Sequence, residues 1–520
     1  MGLNTHTNTD LEKLDVRSHD SDEGDASLES VELPEPKESN NGALPSPSSS
    51  SSETSGTPIE ELDWDSPADV KNPHNWPIWK RVFHTAIPAL YGFVVTLATS
   101  AYVPSIPIIM AKFEVEREVA ILPLSLYTFG FVVGPVFAAP LSELYGRRII
   151  YWTTLPLLLI FTAIAGVSNN ITQLIVNRFL AATFGSGSLA VGAGTIADIW
   201  SPTSNGRAAV FFILAPFLGP ALGPLTGAYI IDEYNNNWRY SMWVVMIVAA
   251  PILCAAVFMQ ETSKQRILYL RQKAQGVKVP RKTGDTRLLL GKLQVAVTRP
   301  LHMMCLEPLV AFLSIYSGFA FAMMFSFFGS YSYVFQVVYG FNQKEVGLTF
   351  LGVLVGFLFA VVSFGIFDAT LYKKAAFRAK AKPAPEHRLY TALLGSLTLP
   401  IGLFWFAWTP QKSIHWIVPV LAGIPFGLGS LGIFISVTTY LVDVYQAKNG
   451  ASAVAANGIL RYTLGAIFPL FTLQMYEALG IHWAGSVFAF VALALLPMPW
   501  FFYFHGHKLR MRSKYDTFKG

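Results

Sequence analysis

The sequence predicts an all-α integral membrane protein, with twelve transmembrane helices in two pseudo-symmetric six-helix bundles. Three observations carry that prediction. First, 52% of the 520 residues are hydrophobic and only 14% are charged, too apolar a balance for a soluble domain. Second, apolar runs of about 20 residues, enough to cross a hydrocarbon core, fall at 83–105, 119–140, 149–167, 171–199, 208–231, 240–259, 309–335, 346–367, 389–408, 415–441, 451–476 and 483–504. Third, the halves echo each other. Asp198-Ile199-Trp200, Asn205-Gly206 and Ala208-Ala209-Val210 return as Asp443-Val444-Tyr445, Asn449-Gly450 and Ser452-Ala453-Val454, with one residue dropped between them. More weakly, Glu143, Tyr145, Arg147 and Arg148 are answered by Asp368, Tyr372, Lys373 and Lys374.

Residues 1–79 lack apolar periodicity and are rich in Ser, Glu, Asp and Pro, with a serine run at Ser48–Ser52. That composition predicts a disordered acidic cytoplasmic tail, open to phosphorylation. Its polar start has no signal-peptide core, so the first span is expected to direct insertion. Trp76, Trp79, Lys80 and Arg81 form an interfacial anchor before that span. The two cysteines, Cys254 and Cys305, imply no disulfide framework. The sequon Asn170-Ile171-Thr172 lies too close to the third and fourth spans for efficient glycosylation.

Charge sets the orientation. Residues 1–72 hold 17 Asp/Glu against 4 Lys/Arg, so the net +5 conceals a strongly basic remainder. That positive charge lies in loops between apolar spans, which argues for bilayer orientation and against nucleic acid. Residues 261–299 hold ten Lys/Arg against two acids, and 368–388 hold six against two. These loops, the 2–3 and 4–5 loops and the C-terminus share one side, which is therefore expected to be cytoplasmic, with both termini. The domains expected are a tail 1–79, a bundle 80–260, a basic linker 261–303, a second bundle 304–504 and a basic tail 505–520. Six spans duplicated around a central cavity is a layout of secondary transporters.

The fifth run contains Ala215–Gly227, APFLGPALGPLTG. Gly219, Gly223 and Gly227 recur every fourth residue, as do Pro216, Pro220 and Pro224. In water three such prolines would break a helix; in a membrane, neighbouring helices satisfy the freed carbonyls. The glycine row offers a smooth face for a close neighbour. The expectation is a bent or bendable helix whose bending serves function, with pure packing as the alternative.

Ionisable groups inside the bilayer are functional candidates by default. Arg178 lies roughly 10 Å into its span and Arg461 roughly 15 Å, at 1.5 Å per residue. Neither has a carboxylate on its own helix within one turn, so a charged partner would have to come across the cavity. Each is either a gating, coupling or substrate group, or an arginine bonded to helix carbonyls. Asn457 shares the face of Arg461. Glu143, Asp198, Asp368 and Asp443 sit at cytoplasmic span ends, where pairing with Arg147 or Arg207 could lock that side and protonation release it. The alternative is a static ion pair. Glu307, ahead of the seventh span, is an additional carboxylate. Tyr316, Phe319 and Phe325, in an aromatic-rich seventh span, are candidates to line a cavity for hydrophobic or planar molecules, although aromatics in spans also simply pack.

Several of these segments resemble the major facilitator superfamily, in particular fungal drug:proton antiporters with twelve spans. Ala139–Arg148 is similar to the loop 2–3 signature, matching it at Gly146, Arg147 and Arg148 and departing at Ala139, Glu143 and Leu144. Asn177-Arg178-Phe179-Leu180 with Gly185 is similar to the span-four arginine signature, and Ala215–Gly227 to the antiporter signature of span five. Asn72–Trp76, Ala197–Trp200 and Asn457 with Arg461 resemble the same fungal group, and the likeness runs from about 65 to 505. It implies a proton-gradient-driven exporter of drugs, toxins or secondary metabolites, with Glu143, Arg147, Arg148, Arg178, Asp198 and Asp443 in coupling and gating. It also implies a plasma-membrane monomer, with a vacuolar site as the alternative, whose partners are a small-molecule substrate and lipid and which needs no cofactor. Proton-coupled uptake of an amine or vitamin-like nutrient is an alternative, as is a transporter-like sensor. The ten histidines form no close cluster and no HExxH, so no metal is expected, and there is no phosphate-binding GxxxxGK[ST]. An enzyme or an ATP-driven pump is therefore not expected.

Overall fold

The computed structural model describes residues 63–200, 205–276, 286–379 and 383–518. The serine run Ser48–Ser52 and the side chain of Arg207 lie outside the described residues.

Ten apolar helices follow the predicted runs: α1 (Ile78–Phe113), α2 (Arg117–Tyr145), α3 (Arg147–Gly166), α4 (Ile171–Ile199), α5 (Ala209–Glu233), α6 (Tyr240–Val257), α7 (Pro308–Tyr339), α8 (Gln343–Arg378), α9 (Pro385–Trp408) and α10 (Ile417–Gln446). An eleventh stretch, Asn449–Met511, is 63 residues long. At 1.5 Å per residue it would extend about 95 Å, three times a hydrocarbon core. It is broken at Gly480, whose φ of 75° and ψ of 165° are not helical. The sequence's eleventh and twelfth spans are thus its two arms, α11 (449–479) and α12 (481–511). Gly485 on the second arm lies against Ala407 of α9.

Local chemistry sets the ends. Gly146, at φ 96°, closes α2 and opens α3 without a loop between, a conformation glycine adopts freely. Asn342 and Glu345 form a reciprocal capping box at the start of α8. Asn170 spends its side chain accepting from the Gln173 N–H at the head of α4. The basic linker between α6 and α7 carries two further helices, Lys264–Ala274 and Thr286–Leu306. Cys254 and Cys305 are both free.

The glycine row of α5 performs the contact its spacing predicts. Added Cβ atoms would run into Thr96 at Gly219, Ser100 at Gly223 and the Ala101 carbonyl at Gly227. Ser100 Oγ donates to the Gly219 carbonyl at 3.0 Å, so α1 and α5 meet backbone to backbone. On its other flank, α5 meets α8, where Gly347 faces Pro224 and Leu225. Helix α5 therefore joins its own bundle to the other one.

Candidate functional site

The two buried arginines have different surroundings. Arg178, 2% exposed, donates from Nε to the Pro123 carbonyl at 3.1 Å. Its Nη2 reaches the Ala98 and Thr99 carbonyls at 2.9 and 3.3 Å, and its Nη1 reaches Met242 Sδ at 3.4 Å. Its guanidinium carbon also lies 4.4 and 4.7 Å from the ring centres of Tyr102 and Tyr127. The fork thus ties α4 to α1, α2 and α6. The partner expected across a cavity is replaced by carbonyls of its own bundle, because three helices present acceptors within its reach.

Arg461, 7% exposed, has aromatic neighbours instead. Its guanidinium carbon lies 4.2 Å from the Tyr462 ring centre, 4.3 Å from Phe434 and 4.8 Å from Phe321. Its Nε is buried without a hydrogen-bond partner. Among the described residues no carboxylate forms an ion pair with it. One turn earlier, Asn457 Nδ2 donates to Ser317 Oγ at 2.5 Å, linking α11 to α7.

The rings around Arg461 belong to both bundles. Phe217, from the Gly/Pro stretch of α5, has its ring centre 5.1 Å from Phe434, 5.4 Å from Phe357 and 6.1 Å from Phe321. Phe131 of α2 meets Tyr462 at 5.3 Å. Sequence reasoning singled out the helix of Phe217 for its glycines and prolines and passed over the phenylalanine between them. Of the predicted aromatics, Phe325 packs 4.9 Å from Phe321 and Phe319 packs on Phe468 at 6.4 Å. Tyr316 is fully buried with its hydroxyl unpaired.

Where the basic loops gather, Arg147 Nε meets Asp198 Oδ2 at 3.2 Å. Arg147 Nη1 also donates to Ser142 Oγ at 2.7 Å, and Thr262 Oγ1 donates to Asp198 at 3.3 Å. The backbone N–H groups of Arg147 and Arg148 donate to Glu261 at 2.8 and 3.3 Å. That carboxylate sits at the positive end of α3. Glu261 escaped the sequence reading; its one signal is an isolated acid directly after α6 in a basic segment.

The second half repeats the motif with a different arginine. Arg388 reaches Asp443 at 2.8 Å and Asp368 at 2.9 Å, and its guanidinium carbon lies 3.8 Å from the Tyr372 ring centre. Lys373 and Lys374, the counterparts suggested by the repeat, are not the residues joined to Asp443 by this pair. A π-helical turn at Asp368–Tyr372 separates the two registers. Arg147–Asp198 and Arg388–Asp443 each lie within one bundle, so they hold helices of that bundle together and are not locks between halves. Glu143 and Arg148 stand apart from them. Glu143 pairs with Lys292 of the linker at 3.0 Å, while Arg148 stacks on Trp152 at 3.9 Å. Glu307 accepts from Tyr445, Ser513 and the Lys514 N–H at 3.0, 2.8 and 3.0 Å, anchoring the C-terminal segment.

Contacts between bundles lie at the opposite end. Arg117 of α2 pairs with Glu477 of α11 at 2.7 Å, and Lys344 of α8 with Asp232 of α5 at 2.5 Å. Gln474 donates to Glu118 at 2.6 Å. This end is bridged, and the Arg461 cluster lies between it and the basic end.

Residues 89–469 match the sequence model of the Major Facilitator Superfamily. "Polyamine transporter 4" of Saccharomyces cerevisiae is 37% identical over 494 residues, covering 89% of this chain and 74% of that protein. "Efflux pump radE" of Floropilus chiversii is 37% identical, covering 88% and 86%. "Major facilitator superfamily multidrug transporter mdrA" of Aspergillus fumigatus is also 37% identical, covering 86% and 74%. Among solved structures, the proton:xylose symporter XylE superposes with a TM-score of 0.60 at 16% identity, over 82% of this chain and 97% of that one. A helical membrane architecture, a family match over most of the spans and relatives of this similarity together place the chain: it belongs to the major facilitator superfamily, among transporters of the fungal efflux type, and is not an enzyme.

Proposed function

We propose that this transporter is a proton-coupled antiporter that exports small hydrophobic organic compounds by alternating access. The observation that carries the reading is the cluster of Phe217, Phe321, Phe357 and Phe434 around Arg461. Flat apolar surface from both bundles, with one charged group, suits a planar or lipophilic ligand. A ligand held by both bundles is also positioned to feel their relative motion. The names of radE and mdrA support export of organic compounds.

The basic end is the cytoplasmic end, on the distribution of Lys and Arg between loops, and both termini lie there. The protein works as a monomer in the plasma membrane, driven by the proton gradient without a cofactor. Arg147 with Asp198, and Arg388 with Asp443, hold each bundle rigid while the halves move, and protonation of Asp198 is the leading route for coupling. Arg178 acts as the staple that keeps α4 against three neighbours.

A second reading, transport of an amine, rests on the similarity to a polyamine transporter. It sits less well with a central arginine that has no paired carboxylate.

Purified protein in liposomes with an imposed pH gradient and a panel of fluorescent lipophilic compounds tests the proposal. Movement of compound opposite to protons supports it. Movement of compound with protons overturns export in favour of uptake.

A further inference from the structure

We propose that the Arg461 cluster is a subsite for organic anions, and that the exported compound carries a carboxylate or similar acid group on a flat apolar body. This deepens the function proposed above and rests on its placement of the substrate at this cluster.

Arg178 and Arg461 make the argument as a pair. Both are more than nine-tenths buried and both lie against aromatic rings. An arginine keeps its charge in such a setting and carries five N–H donors. Rings answer the charge of a guanidinium but offer no lone pairs to its N–H groups. At Arg178, carbonyls from α1 and α2 supply those lone pairs. At Arg461 the rings are present and the acceptors are not: Nε is buried and unpaired, and no ion pair forms among the described residues. Asn457 is committed to Ser317 and turns a donor, not an acceptor, towards α7.

A buried, unpaired cation has one natural complement. A carboxylate meets a guanidinium through two parallel N–H···O bonds, and the attraction is large where water is excluded. Phe217, Phe321, Phe434 and Tyr462 would hold the apolar body beside that pair. The same charge repels an ammonium group, so the site discriminates by sign.

Three probes of matched shape test the assignment on the purified full-length protein at pH 7: 2-naphthoate, 2-naphthamide and 2-naphthylmethylamine. In the wild type the carboxylate should bind at least about tenfold more tightly than the amide, as expected for a charge-assisted pair, and the amine most weakly. Arg461→Gln should bring the carboxylate-to-amide ratio close to one, and Arg461→Lys should retain part of it. If Arg461→Gln fails to fold, the wild-type ranking and Arg461→Lys still decide. Equal binding of all three probes, or tighter binding of the amine, overturns the anion assignment while keeping the cluster as the ligand site. Binding of none of them rejects the cluster as the ligand site, and with it the anion assignment.

Discussion

The guanidinium carbon of Arg461 lies 4.3 Å from the centre of the Phe434 ring, and Phe217 of the opposite bundle closes on that same ring at 5.1 Å. Charge, aromatic surface and the division between bundles meet at this point. Phe217→Leu keeps apolar volume but removes the ring. Lost ring stacking is worth about 1 kcal/mol, so ligand binding should weaken roughly fivefold. Equilibrium binding of a transported compound, with thermal unfolding unchanged, checks this.

Arg178→Gln should destabilise the fold and leave ligand selectivity alone. Three carbonyl bonds of a buried charged donor are lost, at a cost of about 2–4 kcal/mol. A lowered unfolding temperature in detergent, with an unchanged ranking of bound compounds in the surviving fraction, is the expected result.

Gly223→Val drives two methyl groups into Ser100 and Ala101 of α1. Because backbone meets backbone there, the helices must separate, at a cost of about 1–3 kcal/mol, and transport should fall with stability. The same change at Gly329, which has nothing within 4 Å, serves as the control.

Arg147 and Asp198 should couple in a double-mutant cycle by about 1 kcal/mol, since both are less than a quarter exposed but not dry. Arg388→Gln should cost more than either Asp368→Asn or Asp443→Asn, because one guanidinium serves both carboxylates. Thermal unfolding of the single and double variants measures each.

Asp63 pairs with Lys264 at 2.7 Å and Asp69 with Arg271 at 2.6 Å, strapping the described start of the chain to the linker. Hydrogen bonds from these cations hold both carboxyls below their usual value of 3.8. The strap is therefore fully paired above about pH 4 and is lost only as pH falls through the lowered values. Protease sensitivity of residues 63–71 should be flat from pH 5 to 8 and rise in Arg271→Gln at neutral pH.

Spans and repeat were legible because membrane helices announce themselves by length and apolarity, and duplication leaves paired motifs such as Asp198 and Asp443. Arg147–Asp198 was legible for the same reason. Arg388 was not, because a π-helical turn shifts the second half's register and moves the arginine to the following helix. The carbonyl partners of Arg178 left no trace either, since any residue type supplies a carbonyl. Phe217 was hidden in a stretch whose glycines and prolines explained it already.

The claim at the centre of this account is that the bundles part at the end now bridged by Arg117–Glu477. With Cys254 and Cys305 replaced by serine, spin labels at Glu114→Cys and Leu479→Cys report that separation by pulsed electron resonance in lipid nanodiscs. The account predicts two distance populations, with the longer one changing its share when pH or a transported compound changes. A single distance unmoved by either would contradict it.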